Sequence, residues 1–288
     1  MLPAKVLQRY CEQPYTIHHF TILCKCFTYE VNAVISCKKR KHLKQKLIHP
    51  ALQSYLDGKV LLLDKPLHWT SFDVVKKVRI LTKISKVGHA GTLDPLATGL
   101  LIVCTGKYTK KINEYMGMEK EYTGSFTLGA TTPTYDLESE PENITDISQL
   151  SNQEIHDATI HFTGDILQVP PIHSAIKRDG KPVYLAARKG EDVQLEPRPV
   201  SIKTFSITKI DLPKVYFKVV CSTGTYIRSL ANDFGKALGV GGHLSSLCRT
   251  RIGNFLLEDA MNMDAFEESI KILTKEEEVR KASQYPTE

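Results

Sequence analysis

The chain has 288 residues, 42% of them hydrophobic and 24% charged, with a formal net charge of +6, which is enough apolar mass for one large domain or two smaller ones. No run approaches the roughly 18 apolar residues of a membrane span, and the N-terminus lacks the basic–apolar–small pattern of a secretory signal. Seven cysteines without a CxxC pair argue against a disulfide framework and a zinc site, and for a reduced, cytoplasmic protein.

The charge is uneven. Residues 1–50 hold nine Lys/Arg against two Asp/Glu, whereas the other 238 hold 29 against 30. Any nucleic-acid affinity of the main body must then come from how its charges are arranged, not from their sum. Residues 1–57 carry four of the cysteines and the basic run KKRKHLKQK (38–46), with no clear amphipathic period. They are expected to form a poorly ordered extension whose basic run is a solvated face or a binding tail.

From Lys59 the pattern sharpens. KVLLLDKP (59–66) reads as a short apolar strand ending at a Lys-Pro turn. Thr70 or Ser71 can cap a helix with Phe72, Val75, Val78 and Leu81 on its apolar side. The glycine-rich loop KVGHAGTLDPLATG (86–99) follows, then a buried strand LLIVC (100–104) and a short helix TKKINEYMG (109–117) closed by Gly117. EYTGSFTLG (121–129) alternates, with Tyr122, Gly124, Phe126 and Leu128 on one face.

Residues 131–145 are polar and proline-bearing, hence a loop, and SNQEIHDATIHF (151–162) suits a capped helix. RDGKPVYLAARKG (178–190) reads as an Asp-Gly turn before a helix. VSIKTFSI (200–207) and KVYFKVVC (214–221) read as an antiparallel pair. TYIRSLANDFGKALG (225–239) is a helix with Ile227, Leu230, Ala231, Phe234 and Leu238 inward and Gly239 at its end, and residues 265–288 form a charged helical tail. Mixed helices and short, hairpin-linked strands indicate an α+β fold with a mixed, mostly antiparallel sheet.

Two constellations carry chemistry. Asp94 is a lone carboxylate between Gly88, Gly91 and Gly99, with His89 five residues before it and Pro95 after it. Helix capping and turn formation are the ordinary uses of such an acid. Metal binding would need further ligands that are not nearby. Glycines permit positive φ and close approach of a ligand, and Pro95 stiffens the loop, which suits a nucleophile or general base. His89 is a structural hydrogen-bonder or a contact for a flipped base or RNA backbone.

In STGTYIRSLANDFG (222–235), Tyr226 and Arg228 open a helix. Arg228 is either a surface cation or a partner that keeps Asp94 ionised. Tyr122 is either a packing residue or a platform on which a base stacks. Arg249 and Arg251 in LCRTRIGNF (247–255) contact phosphate or lie on a strand face.

Five stretches, LLLDKP (61–66), KVGHAGTLDPLATGLLIVCTGKYTK (86–110), KEYTGSFTLGATTPTYD (120–136), STGTYIRSLANDFG (222–235) and LCRTRIGNF (247–255), together resemble the TruB family of tRNA pseudouridine synthases in order and spacing, over about residues 58–260. The resemblance implies a pseudouridine-synthase catalytic domain (58–264) with a cleft across its central sheet. It implies isomerisation of uridine 55 in the T-arm loop of tRNA, without cofactor or metal. By the same resemblance Asp94 is the catalytic aspartate, Tyr122 stacks on the target base, and Arg228 pairs with the aspartate. Tyr226 and Leu247 line the base pocket, His89 contacts the RNA where the target flips out, and Asp136 contacts the flipped nucleotide. Lys65 and Pro66 support the catalytic loop. The partner is tRNA and the expected state is a monomer, acting in the cytoplasm.

Many members of the family end in a small RNA-binding PUA domain, and the residues after the RTRIG segment are too few for one. RNA grip is then expected to rest on the catalytic domain, helped by the basic N-terminal stretch. The rival readings are a non-catalytic RNA-binding or tRNA-folding protein and, on the loop aspartate alone, a magnesium-dependent phosphotransferase. The second is disfavoured because no acid lies within eight residues of Asp94.

Overall fold

Strands with apolar inward faces pair into one large sheet, and this sheet positions everything that follows. The computed structural model describes residues 48–172, 174, 177–178, 181–182 and 195–284, and Pro50–Glu288 forms one unit. A 3-10 turn at Pro50–Leu52 leads into α1 (Gln53–Asp57). Leu52 and Tyr55 are buried there. Residues 50–57, expected as part of the extension, therefore pack into the body, because these two side chains supply an apolar face that the basic residues before them lack.

β1 (Val60–Lys65) precedes α2 (Ser71–Thr82). Thr70 closes a capping box with Asp73: its hydroxyl accepts the Asp73 amide at 3.1 Å, and the Asp73 carboxylate accepts the Thr70 amide at 2.9 Å. Such reciprocal caps satisfy two of the free N–H groups at a helix start. The inward face is Ser71, Val74, Val75, Val78 and Thr82. The expected face of Phe72, Val75, Val78 and Leu81 is corrected. A strict spacing of three drifts about 60° per step around a helix of 3.6 residues per turn, and Phe72 ends 60% exposed, with the Arg79 guanidinium 5.9 Å from its ring centre.

β2 (Val87–His89) and β3 (Ala97–Thr105) flank the glycine-rich loop. A 3-10 turn (Gly106–Lys111) and α3 (Ile112–Gly117) connect to β4 (Lys120–Leu128). The polar stretch after β4 is a loop, as expected. A Ser151–Glu154 capping box starts α4 (Asn152–Ala158), shorter than expected because it tightens into a 3-10 turn at Thr159–Phe162. β5 (Gly164–Gln168) follows, then the paired two-residue strands β6 (Lys177–Arg178) and β7 (Lys181–Pro182). The helix expected around residues 183–190 lies outside the described residues. β8 (Arg198–Asp211) and β9 (Lys214–Cys221) pair antiparallel as expected.

α5 (Ile227–Ala237) buries Ile227, Leu230, Ala231 and Phe234. β10 (Gly242–Ile252), β11 (Phe255–Leu256) and α6 (Met263–Gln284) complete the chain. The charged tail is thus a helix docked through Met263, Phe266 and Ile270, with the Phe266 ring 6.4 Å from that of Tyr55.

The sheet runs β1-β3-β10-β4-β9-β8-β5, with β2 on β3 and β11 on β10. Among the described strands of this sheet only β3 and β10 pair in parallel, which gives the mixed, mostly antiparallel α+β architecture expected. Beneath it Phe126 packs against Phe205, Phe217 and Phe234 at centroid distances of 6.1, 4.2 and 5.8 Å. This aromatic cluster fixes β4 and α5, the two elements that carry Tyr122 and Arg228.

Candidate active site

The central strands meet the glycine-rich loop at one place. Arg249 on β10 lies opposite Gly99 of β3 on one side and Tyr122 of β4 on the other. Gly99 has φ +100°, and a Cβ there would stand 2.4 Å from the Arg249 carbonyl oxygen and 2.7 Å from its amide nitrogen. Only glycine allows this approach and this backbone angle together. Gly91, at φ +105°, turns the other end of the loop. Asp94 is therefore held between two glycine hinges.

The loop is braced from below. Lys65 is fully buried, and its ammonium donates to the carbonyls of Pro66 at 2.9 Å, Trp69 at 2.6 Å and Pro95 at 3.5 Å. Burial lowers its pKa to about 8, with the Asp94 charge opposing that fall. The His68 amide adds a bond to the Pro95 carbonyl at 2.8 Å. Ser71 and Leu93 exchange two bonds, with the Leu93 amide donating to the hydroxyl at 2.8 Å and the hydroxyl donating to the Leu93 carbonyl at 3.2 Å.

Above the loop, α5 delivers Arg228. Its Nε lies 2.9 Å from Asp94 Oδ2 and its Nη2 donates to Asp94 Oδ1 at 3.3 Å, an ion pair reinforced by a charge-assisted hydrogen bond. The same Nε is 3.6 Å from Asp136 Oδ2, and Nη1 donates to the Thr134 carbonyl at 3.4 Å. Arg228 and Asp136 are buried, while the Asp94 side chain keeps 38% of its surface exposed. Burial raises the Asp94 pKa above the ordinary aspartate value and the Asp136 charge adds to the rise, whereas Arg228 pulls it down.

A cleft of about 280 Å³ opens over these groups, lined among others by Asp94, Tyr122, Tyr226, Arg228 and Leu247. Five residues singled out from the sequence thus converge on one cavity. Asp136 lines a smaller recess beside it, again with Asp94 and Leu247. His89 lies outside this lining, half-buried on β2, and burial holds its imidazole below the usual range. Lys65 and Pro66 sit beneath the loop, away from the cavity wall. Tyr122 is buried at the cleft floor, and desolvation raises its phenol pKa while the neighbouring Arg249 opposes that rise.

Three further residues shape the site. Lys120 lines the cleft, and its ammonium caps the end of α3 by donating to the carbonyls of Met116 and Met118. Burial brings its pKa to about 8, and Arg249 adds to the fall. Its register two residues before Tyr122 was the signal available in the sequence. Gln168 clasps the backbone of Tyr226, accepting from its amide at 2.8 Å and donating to its carbonyl at 3.1 Å; no sequence pattern marked it. Arg249 also lines the cleft, but it is 1% exposed and donates to backbone carbonyls, which fits the strand alternative better than a phosphate contact. Arg251 pairs with Glu119 at 2.8 Å and Glu121 at 3.7 Å across the strands, which is the strand-face alternative.

The family model described as TruB family pseudouridylate synthase (N terminal domain) matches residues 79–227, and the model described as tRNA pseudouridylate synthase B C-terminal domain matches residues 228–284. A tRNA pseudouridine synthase B of Flavobacterium johnsoniae is 52% identical over 226 residues, which cover 76% of this chain and 99% of that protein. One of Phocaeicola vulgatus is 48% identical over 75% of this chain and 94% of that protein. Among solved structures, a chain of a Cbf5-Nop10-Gar1 complex superposes with a TM-score of 0.62 at 29% identity, covering 79% of this chain and 58% of its own length. Family models spanning most of the chain, and a relative matched over nearly its whole length, lead to one conclusion: the chain belongs to the TruB family of pseudouridylate synthases.

Proposed function

We propose that this protein isomerises uridine 55 in the T-arm loop of tRNA to pseudouridine, with Asp94 as the catalytic carboxylate. The observation that carries the reading is the Arg228–Asp94 ion pair in the cleft that Tyr122 floors. In the isomerisation the bond from ribose C1′ to N1 of the uracil breaks, the base turns, and a bond from C1′ to C5 forms. The proton on C5 is lost and N1 gains one, so nothing is consumed and one well-placed carboxylate is sufficient.

The target uridine must leave its stack, at a cost of a few kcal/mol, least for a loop base already partly unstacked. In this reading the flipped base lies on Tyr122, bounded by Tyr226 and Leu247, with its ribose facing Asp94. His89 contacts the RNA at the position the base vacates, and Asp136 contacts the flipped nucleotide through the recess it shares with Asp94. Lys65 and Pro66 hold the loop at a fixed height. Arg228 favours the charged form of a carboxylate whose pKa burial raises. Recognition rests on the shape of the folded loop and on splayed bases, with the basic run in residues 1–57 assisting; the run itself lies outside the described residues. The protein acts as a monomer in the cytoplasm.

The test is carbodiimide mapping of pseudouridine in total RNA from cells with and without the protein. The reading expects loss of the signal at position 55 of tRNA in its absence. An unchanged T-loop refutes the substrate assignment.

A further inference from the structure

Arg249 is a buried cation that the proposed chemistry does not use. Among the described residues it forms no ion pair, and its three donor groups all go to backbone carbonyls: Nε to Leu100 at 2.8 Å, Nη2 to Gly91 at 3.2 Å and Nη1 to Thr92 at 3.5 Å. A buried charge without a countercharge is costly and persists only where several polar groups converge on it. The three carbonyls lie on both sides of Asp94, two before it and one after.

The strand register adds the second half of the arrangement. Arg249 faces Gly99 of the loop strand and Tyr122 of β4, and Arg249 and Tyr122 both line the cleft that opens over Asp94. Arg249 is therefore bonded to the loop bearing the carboxylate and stands beside the ring on the cleft floor. Its planar fork spans three acceptors in fixed directions, which a lysine ammonium does not reproduce.

We infer that Arg249 is a positioning residue for the isomerisation: it fixes the distance between the Asp94 carboxylate and the Tyr122 ring, so that both meet the same flipped base. The inference rests on the function proposed above. Arg249 is 1% exposed and its donors are taken by backbone carbonyls, so its loss is expected in the chemical step more than in tRNA binding. A misplacement of about 1 Å at a reacting group costs on the order of 100-fold in rate.

The test compares Arg249→Lys, Arg249→Gln and Arg249→Ala in the full chain, by single-turnover pseudouridine formation on a tRNA transcript and by tRNA binding. The expected result is a rate lowered about 100-fold in each, with tRNA affinity within about threefold of wild type. Added guanidinium is expected to restore at least about tenfold of the rate to Arg249→Ala and none to Asp94→Asn. A folded Arg249→Lys or Arg249→Gln at the wild-type rate overturns the inference, as does a loss confined to tRNA binding. If the variants do not fold, the wild-type protein still decides. The NMR signal of the Arg249 Nε–H must exchange slowly and move when Tyr122 is replaced by Phe, and a signal that does not move contradicts the coupling. An active Asp94→Asn would instead overturn the proposed function, whatever Arg249 does.

Discussion

Replacing Gly99 with Ala tests how the site is held. Two costs follow from the geometry. The residue sits at φ +100°, where an L side chain is strained by about 1–2 kcal/mol. The added methyl also stands 2.4 Å from the Arg249 carbonyl oxygen and 2.7 Å from its amide nitrogen. These are backbone atoms of a central strand that cannot swing aside, and overpacking of this kind costs about 1–3 kcal/mol. Together they amount to about 2–5 kcal/mol, and at about 2–4 °C per kcal/mol for a domain of this size the melting temperature falls by about 5–20 °C. Gly164→Ala supplies the control, because Gly164 has φ +99° yet a Cβ there meets nothing within 4 Å. It carries the strain without the clash. Calorimetry of both variants, with single-turnover rates, isolates the crowding. Gly99→Ala should be the less stable of the two by about 1–3 kcal/mol and lose most of its activity, since β3 and the Asp94 loop must part from β10. Equal stability of the two variants refutes the argument that β10 pins the loop.

Further predictions follow from the charges and the core. Removing Arg228 as Arg228→Gln takes away the pull that favours the Asp94 carboxylate, so the Asp94 pKa rises further and the acid limb of the pH–rate profile moves to higher pH. Asp136→Asn removes a neighbouring negative charge, so the same limb moves to lower pH; a shift of either limb in the opposite direction contradicts the electrostatic account. Phe126→Ala empties the centre of the aromatic cluster and should cost about 3–5 kcal/mol in urea unfolding, and a loss under 1 kcal/mol would mean that the cluster does not hold β4 and α5 together. Gln168→Ala leaves the Tyr226 amide and carbonyl without their clasp. Unsatisfied groups of this kind cost about 1–3 kcal/mol each, so weaker tRNA binding is expected, read by filter retention.

The parts of the fold legible in the sequence were those written in local pattern. The alternation of residues 121–129, the apolar run at 100–104 and the spacing of Ile227, Leu230, Ala231 and Phe234 each translate directly into a strand or helix face. Phe72 was misread because a spacing of three imitates a helical stripe over a short window. Residues 50–57 were misread because Leu52 and Tyr55 are too few to show a period, yet enough to anchor two short turns against the body. At the site, Asp94 stood out through its glycines and Arg228 through its place at a helix start. Arg249 did not, because an arginine on a strand looks the same whether it faces solvent or a backbone; only the register of β10 between β3 and β4 turns it inward. Gln168 binds Tyr226 across 58 positions of sequence, a contact that local pattern does not encode.

The central claim is that the Asp94 carboxylate performs the chemistry, and Asp94→Asn tests it most directly. The substitution keeps the size of the side chain and removes its charge. Purified Asp94→Asn, given a tRNA transcript carrying tritium at C5 of uridine, should bind the transcript within a few-fold of wild type and release no tritium. Release of tritium at a rate near that of the wild type would contradict the account.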